Sequence, residues 1–418
     1  MDQQLKVAFL TPEFPHPKIS GLCGGIGTSI QNLGSALAQR GVKVSIIVYN
    51  QETDGFFEAD GFDFYTIRNN PSHKRGRYKT QKKIEKLLRR LVREDRVNLV
   101  EAPDWTGITA FIQPKCPVVV KVHGSETYFA HLAQRPIDPE TARQEKRALR
   151  KADALLAVSQ FSAEVTQSVM ALRKDFKVIP NGIDIGKFHP QTQHDPTHTI
   201  LYFGTLVRKK GTLELPHIFN KVVAQNPSVQ LILVGLDSND PVTGKASVWQ
   251  MMQPMFSETA LKKVTYAGSV AYDKIAAYID SADVCVFPSY AEALPVSWME
   301  AMAMGKAIVA SAIGWASEMI TDGKDGFLVH PTQHQHYADR IVQLLENADL
   351  RQSFGQQARK TVQEKFDFEK IAQQHVSAYA KILQQKPAYN WRKYANRPLE
   401  MVTARITSFC HWIAAAST

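Results

Sequence analysis

The chain has 418 residues, 44% of them hydrophobic and 22% charged, with 23 Gly and 21 Pro, which excludes disordered and fibrous proteins and leaves a globular one of two or three domains. The formal net charge of +10 is uneven, since residues 1–190 hold 28 basic against 20 acidic side chains and the remainder 22 against 20. Four scattered cysteines (Cys23, Cys116, Cys285, Cys410) form no CxxC pair, which argues against a zinc ribbon or disulfide framework and fits a reducing compartment.

Short β-rich runs alternate with helical patterns almost from end to end, so the fold class is α/β, built from parallel sheets. Runs at 5–10, 42–49, 97–100, 118–122, 154–158 and 177–180 predict one doubly wound sheet, and runs at 199–203, 229–234, 264–267, 284–287, 307–310 and 327–329 predict a second. Between them NGIDIGKFHPQTQHDPTH has a turn-forming Asn181-Gly182 and little periodicity, which places the linker there and the domains at 1–190 and 191–384. The pattern is helical from Pro331 to about Leu383, and a last apolar helix is expected from Leu399 to Ile413. The N-terminus has no basic leader with an apolar core, and no run approaches about 20 apolar residues, so a cytoplasmic protein is expected, soluble or peripheral at a membrane.

Three loops carry candidate chemistry. Gly21-Leu22-Cys23-Gly24-Gly25-Ile26-Gly27 precedes a helix marked by Ile30, Leu33 and Leu37, and free N–H groups at a helix N-terminus suit a phosphate. Ile30 stands where GxGxxG needs its third glycine, which disfavours a nicotinamide or flavin enzyme. Gly204 to Gly211, with Arg208-Lys209-Lys210, follows the first strand of the second sheet, at the carboxyl end where open α/β sheets bind ligands. Glu292 to Glu300 follows the VCVFP strand; Ser297 with Glu300 also fits a capping box, whereas Glu292 has no such local explanation.

Together these features resemble the retaining glycosyltransferases of family 4. The resemblance rests on Gly24 to Gly27, His123-Gly124, Asn181-Gly182-Ile183-Asp184, Arg208 to Gly211 and the E-x7-E spacing of Glu292 and Glu300. It implies the GT-B architecture, two facing Rossmann-like domains, with a C-terminal helix of 385–418 completing the first. It further implies that Gly25, Ile26 and Gly27 approach the diphosphate of a nucleotide sugar, that Lys210 neutralises that leaving group, and that Glu300 accepts from ribose hydroxyls. Glu292 would meet the transferred sugar, His123 would donate to one of its hydroxyls, and backbone around Leu294, Pro295 and Val296 would face diphosphate and sugar. Two departures stand out: Thr205 where the family pattern has arginine, leaving Arg208 or Lys209 to compensate, and Gly314-Trp315, after which Glu318 remains available.

The co-substrate implied is a UDP- or GDP-sugar with no further cofactor. No Asp-x-Asp arrangement calls for a metal, and His330, His334 and His336 read as a polar loop. Acceptor contacts are expected from His16, Asp104, Trp105, Glu126 and Tyr128. From Lys74 to Arg96 eleven basic residues face three acidic ones around an apolar stripe of Ile84, Leu87, Leu88 and Leu91, a crossover helix with a flank suited to an anionic membrane surface. The acceptor expected is a carbohydrate or lipid-linked precursor of a polysaccharide. The alternatives are an epimerase of the same fold, a non-catalytic relative, and a nucleic-acid-binding protein, the last supported only by the isoelectric point of about 9.2 and the basic segment, so no nucleic acid is expected.

Overall fold

The computed structural model describes residues 4–21, 24–69, 73–190 and 197–385. The first domain carries β1 (Lys6–Thr11), β2 (Lys43–Gln51), β3 (Gly55–Ala59), β4 (Phe62–Arg68), β5 (Leu99–Pro103), β6 (Val118–Val122), β7 (Ala154–Ala157) and β8 (Lys177–Val178). Its helices are α1 (Gly25–Gln39), α2 (His73–Arg93), α3 (Glu126–Leu132), α4 (Pro139–Lys151) and α5 (Gln160–Val169). The strand order is β3-β4-β2-β1-β5-β6-β7-β8, parallel except where β3 pairs antiparallel with β4. That hairpin is absent from the expected strands because its alternation is aromatic-rich, turns on Asp60-Gly61, and β3 is mostly exposed.

The second domain carries β9 (Thr199–Phe203), β10 (Gln230–Val234), β11 (Val264–Tyr266), β12 (Val284–Phe287), β13 (Ala307–Ser311) and β14 (Phe327–Val329), in the all-parallel order β11-β10-β9-β12-β13-β14. Around this sheet lie α6 (Leu215–Gln225), α7 (Val248–Met252), α8 (Glu258–Leu261), α9 (Ile275–Ser281), α10 (Val296–Ala303), α11 (Ala316–Met319), α12 (His334–Glu346) and α13 (Ala348–Lys365). Strands buried on both faces read as continuous apolar runs such as VCVF and AIVAS. Each sheet reverses its strand order once, between β1 and β5 in the first and between β9 and β12 in the second, and the crevices at these reversals are where such sheets bind ligands.

The chain returns to the first domain earlier than the sequence suggested. Helix α14 (Phe368–Gln385) packs on α1, with Ile371, Ala372, Ala378 and Tyr379 in the same core as Val7, Phe9 and Leu99. Residues 368–384 therefore belong with the first domain, and the expected helix of 385–418 lies, beyond Gln385, outside the described residues. The two crossings lie side by side: Ile183 N–H donates to Phe366 O at 2.8 Å, Phe368 N–H donates back to Ile183 O at 3.1 Å, and a Cβ on Gly182 would stand 2.8 Å from Phe368 Cα.

Beneath α14 the first sheet buries a polar group of its own. Lys121 Nζ lies 3.4 Å from His375 Nε2, and Tyr379 donates to Glu101 at 2.6 Å. Burial lowers the Lys121 ammonium to about 8, while burial raises the Glu101 carboxyl.

Gly355, buried within α13, crosses the turn after α10 so closely that a Cβ would stand 1.9 Å from Gly305 O. An exposed helical glycine gains up to about 1 kcal/mol on becoming alanine. We expect Gly355→Ala to lose at least about 2 kcal/mol instead, because backbone must separate; denaturant midpoints would show the opposite sign if α13 sat further away.

Candidate functional site

The loops after β9 and β12 flank the strand reversal of the second sheet and are built as one unit. Residues Arg208–Lys210 form a single 3-10 turn closed by Gly211 at φ +64°, where a Cβ would stand 1.7 Å from Pro288 O. No other residue fits there, because the left-handed backbone and the close carbonyl both demand hydrogen in place of a side chain. The carbonyl of Lys209 accepts from the N–H groups of Tyr290 at 2.8 Å and Ala291 at 3.1 Å, which ties the basic turn to the segment leading to Glu292. The result places Lys210 Nζ 3.0 Å from Glu292 Oε1, both largely shielded from solvent.

The three cations of the turn have separate partners. Arg208 is held by Asp240 in a two-bond fork, Nε to Oδ1 at 3.0 Å and NH2 to Oδ2 at 2.7 Å, and this guanidinium, with Thr243, keeps the Asp240 carboxyl far below the usual carboxylate range. Lys209 places its ammonium 3.5 Å from the centre of the Phe129 ring, and burial lowers its pKa. Arg208 and Lys209, the residues left to compensate for Thr205, are thus engaged by Asp240 and by the Phe129 ring, and the Thr205 carbonyl accepts from Tyr202 at 3.1 Å. Lys210 makes the ion pair with Glu292, and the Lys209 ammonium also feels that carboxylate.

Glu300 is buried on α10, where burial raises its carboxyl to about 7 despite the Tyr272 hydroxyl beside it. The capping-box reading does not hold. Pro295 is the residue before the helix and no side chain caps it, so Glu300 is freed from that local duty. Lys187, from the crossover, lies 4.2 Å from the centre of the Tyr272 ring and completes this wall. Of the expected backbone donors only Leu294 and Val296 have an N–H, because Pro295 has none.

Three first-domain side chains hold this segment in register. Tyr128 donates to the carbonyl of Glu292 at 2.7 Å, Ser159 to that of Ala293 at 2.8 Å, and Asn181 Nδ2 to that of Leu294 at 3.3 Å. Asn181 Oδ1 in turn accepts from Ser29 on α1 at 2.8 Å. A planar trans peptide puts the following N–H opposite each carbonyl, so these anchors aim the amides of Ala293 and Leu294 away from the first domain. Glu318 is engaged across the same boundary, accepting from Gln160 N–H at 2.7 Å and Phe161 N–H at 2.8 Å at the start of α5. Gly314 is needed beside it, since a Cβ there would stand 2.5 Å from the Phe161 ring.

In the first domain the glycine loop meets a residue that motif reading missed. Glu13, after β1, accepts from Gly27 N–H at 3.0 Å and faces the backbone of Gly24 and Ile26, while burial raises its carboxyl. The amides at the start of α1 therefore already hold a carboxylate, and Gly24 and Gly25 are exposed beside it. The signal available was an acidic residue between two prolines, Pro12 and Pro15, immediately after a strand. His123 sits at the end of β6 with its N–H donating to Asp104 Oδ1 at 2.9 Å; burial first, and then the charge of Lys121, holds its imidazole well below the usual range, so it is neutral.

The expected acceptor residues do not form one surface. Tyr128 and Asp104 are buried and work on the chain itself. Burial raises the Asp104 carboxyl to about 7, and its Oδ2 has no hydrogen-bond partner among the described residues. Glu126 is paired with Arg135, Trp105 packs on the Tyr128 and Phe129 cluster, and His16 packs at a tilt against Phe57 and Phe64. Glu145, which sequence reasoning passed over as one more helical acid, accepts from Thr106 N–H, Glu126 N–H and Thr127 and so joins these loops. His334 and His336 open α12 rather than lying in a loop, and His334 pairs with Glu214 at 2.7 Å.

Comparison with known proteins agrees with this layout. The family description "Glycosyltransferase Family 4" matches residues 23–187, and "Glycosyl transferases group 1" matches residues 184–361. The D-inositol 3-phosphate glycosyltransferase of Paenarthrobacter aurescens (strain TC1) is 25% identical over 396 residues, 86% of this chain and 93% of that protein. An uncharacterized glycosyltransferase of Methanocaldococcus jannaschii is 23% identical over 396 residues, 90% of this chain and 98% of that one. Among solved structures, sucrose-phosphate synthase from Thermosynechococcus elongatus superposes with a TM-score of 0.76 at 22% identity, covering 91% of this chain and all of that one. Anabaena HepE in complex with UDP and glucose superposes with 0.69 at 21% identity, covering 90% and 100%.

The Glu300 carboxyl gives a signed test. Its ordinary value is 4.5 and its folded value about 7, so between them the folded chain holds a proton that the unfolded chain has released. Stability relative to Glu300→Gln should fall as pH rises from about 5 to about 7, by up to about 1.4 kcal/mol per pH unit, and level off above. Denaturation midpoints of both proteins across pH 5 to 8 measure this; parallel curves would mean that Glu300 is already ionised when folded.

Proposed function

Because the chain belongs to the glycosyltransferases of family 4 and group 1, in which two facing α/β domains form the GT-B fold, we propose that it moves a sugar, with retention of anomeric configuration, from a UDP- or GDP-sugar to a carbohydrate or lipid-linked acceptor in polysaccharide or glycoconjugate assembly. The observation that carries this reading is the Lys210–Glu292 pair, held at the strand reversal of the second sheet ahead of the buried Glu300. Cleaving a sugar–phosphate bond leaves a diphosphate with added negative charge and a sugar resembling an oxocarbenium ion. The Lys210 ammonium serves the first and the Glu292 carboxylate the second, so the ion pair opens onto the two halves of the breaking bond. Glu300 accepts from ribose hydroxyls in place of its contact with Tyr272, and the N–H groups of Leu294 and Val296 meet diphosphate oxygens. Neutral His123 donates to a sugar hydroxyl. Retention requires acceptor and leaving group on one face of the sugar, with a diphosphate oxygen taking the acceptor proton.

The UDP and glucose held in complex by HepE favour a uridine donor as the first to try. An epimerase of this fold would turn over its nucleotide sugar without an acceptor, so acceptor-dependent release of the nucleoside diphosphate separates the two. Thermal stabilisation by UDP, GDP and ADP and their sugar conjugates tests the donor directly, since a ligand at 100 times its dissociation constant adds about 2.7 kcal/mol. With the responding donor, Lys210→Ala should lower turnover about 100- to 1,000-fold, and Glu300→Gln should weaken nucleotide binding. Wild-type behaviour of both folded variants would remove the donor assignment.

A further inference from the structure

The strongly basic flank of α2 has a shape that neither the donor site nor core packing uses. Ile84, Leu88 and Leu91 are fully buried and account for one side of the helix. On another side, α2 and the β3–β4 hairpin enclose a groove of about 870 Å³. It lies at the β3–β4 edge of the first sheet, whereas the anchors to the second domain come from α3, α5 and the crossover after β8.

Six basic side chains of α2 line this groove against two acids, Asp54 and Glu85. Glu85 holds Lys82 and Arg89, both at 2.6 Å, and Asp54 holds Lys83. Lys86, Arg90 and Arg93 have no carboxylate partner among the described residues and recur at helical spacing along one face. Phe56, 51% exposed, sets its ring centre 5.0 Å from that of Tyr65. Tyr65 is only 4% exposed, yet its hydroxyl has no hydrogen-bond partner among the described residues. A buried polar group left unpaired is costly, and a partner reaching this hydroxyl from the groove that Tyr65 lines would relieve that cost.

We propose that this groove is an ancillary binding site for an acidic oligosaccharide, a sugar chain bearing carboxylate or phosphate groups. The three unpaired cations take the anionic groups, Phe56 offers an apolar face to a sugar ring, and the Tyr65 hydroxyl pairs with a sugar hydroxyl or acid oxygen. A flat lipid surface would meet the outermost cations, but it would not enter a recess between a helix and a hairpin. The choice of a carbohydrate over another polyanion rests on the glycosyltransferase reading; the site then holds a part of the acceptor chain remote from the reacting end.

The test uses the full chain, with a heparin-derived hexasaccharide as the acidic probe, maltohexaose as the neutral one, and phosphatidylglycerol vesicles as the membrane arm. The hexasaccharide should bind and maltohexaose should not. The combined variant Lys86→Glu, Arg90→Glu, Arg93→Glu should weaken binding at least tenfold, and the charge-neutral Tyr65→Phe and Phe56→Ala several-fold each. Stabilisation by the responding nucleotide should stay unchanged in all of them, since none lies near Lys210 or Glu300. The proposal is overturned if the hexasaccharide does not bind, if vesicles bind and it does not, or if Tyr65→Phe and Phe56→Ala both bind as wild type, which would reduce the groove to unspecific attraction. Failure of the donor reading appears separately, as absence of nucleotide stabilisation in the unaltered chain.

Discussion

Three hydrogen bonds from one domain to three consecutive carbonyls of the other govern this molecule. Tyr128, Ser159 and Asn181 hold the carbonyls of Glu292, Ala293 and Leu294, so the segment that carries the first E-x7-E glutamate is aligned by the opposite sheet. Each donor is itself fixed. Tyr128 is buried on α3, Ser159 caps α5, and Asn181 is braced by Ser29 of α1. Aligning backbone rather than side chains leaves the Glu292 carboxylate free to pair with Lys210. A shift of either domain would move the Lys210–Glu292 pair relative to His123.

Charge in the cleft is parcelled out with little left over. Asp240 absorbs Arg208, the Phe129 ring receives Lys209, Glu318 closes the start of α5, and Glu13 closes the start of α1. Each contact lowers the cost of a charge or open helix end in the folded chain. Lys210 is left opposite Glu292. The basic flank of α2 contrasts with this economy, since half of its groove-lining cations have no carboxylate partner and an aromatic wall stands beside them.

Much of the fold was legible from local pattern. The runs at 118–122, 199–203, 284–287 and 327–329 coincide with strands because strands buried on both faces are continuous apolar stretches bounded by turn residues. The β3–β4 hairpin was not legible, because β3 is exposed and lacks such a run. The early return of α14 was hidden because its apolar stripe looks the same whichever domain buries it. In the site, Lys210, Glu292 and Glu300 could be named from the family resemblance and their loops, while Glu13, Glu145 and Ser159 could not, since an acid or serine in a loop carries no periodic mark and one acid on a charged helix looks like any other.

By itself the sequence determined the two α/β sheets and the order of the loops on them, because these follow from periodicity and from backbone geometry a few residues long. Gly211 shows both levels. Its place closing a basic turn is readable, but the Pro288 carbonyl that forbids any side chain there comes from another loop. Tertiary structure alone decided the partner of each charge. Arg208 and Lys209 are neighbours in sequence, yet one turns to Asp240 in its own domain and the other to Phe129 across the cleft. Pairing energy depends on distance and burial in space, and residues far apart in the chain meet only once both sheets are packed.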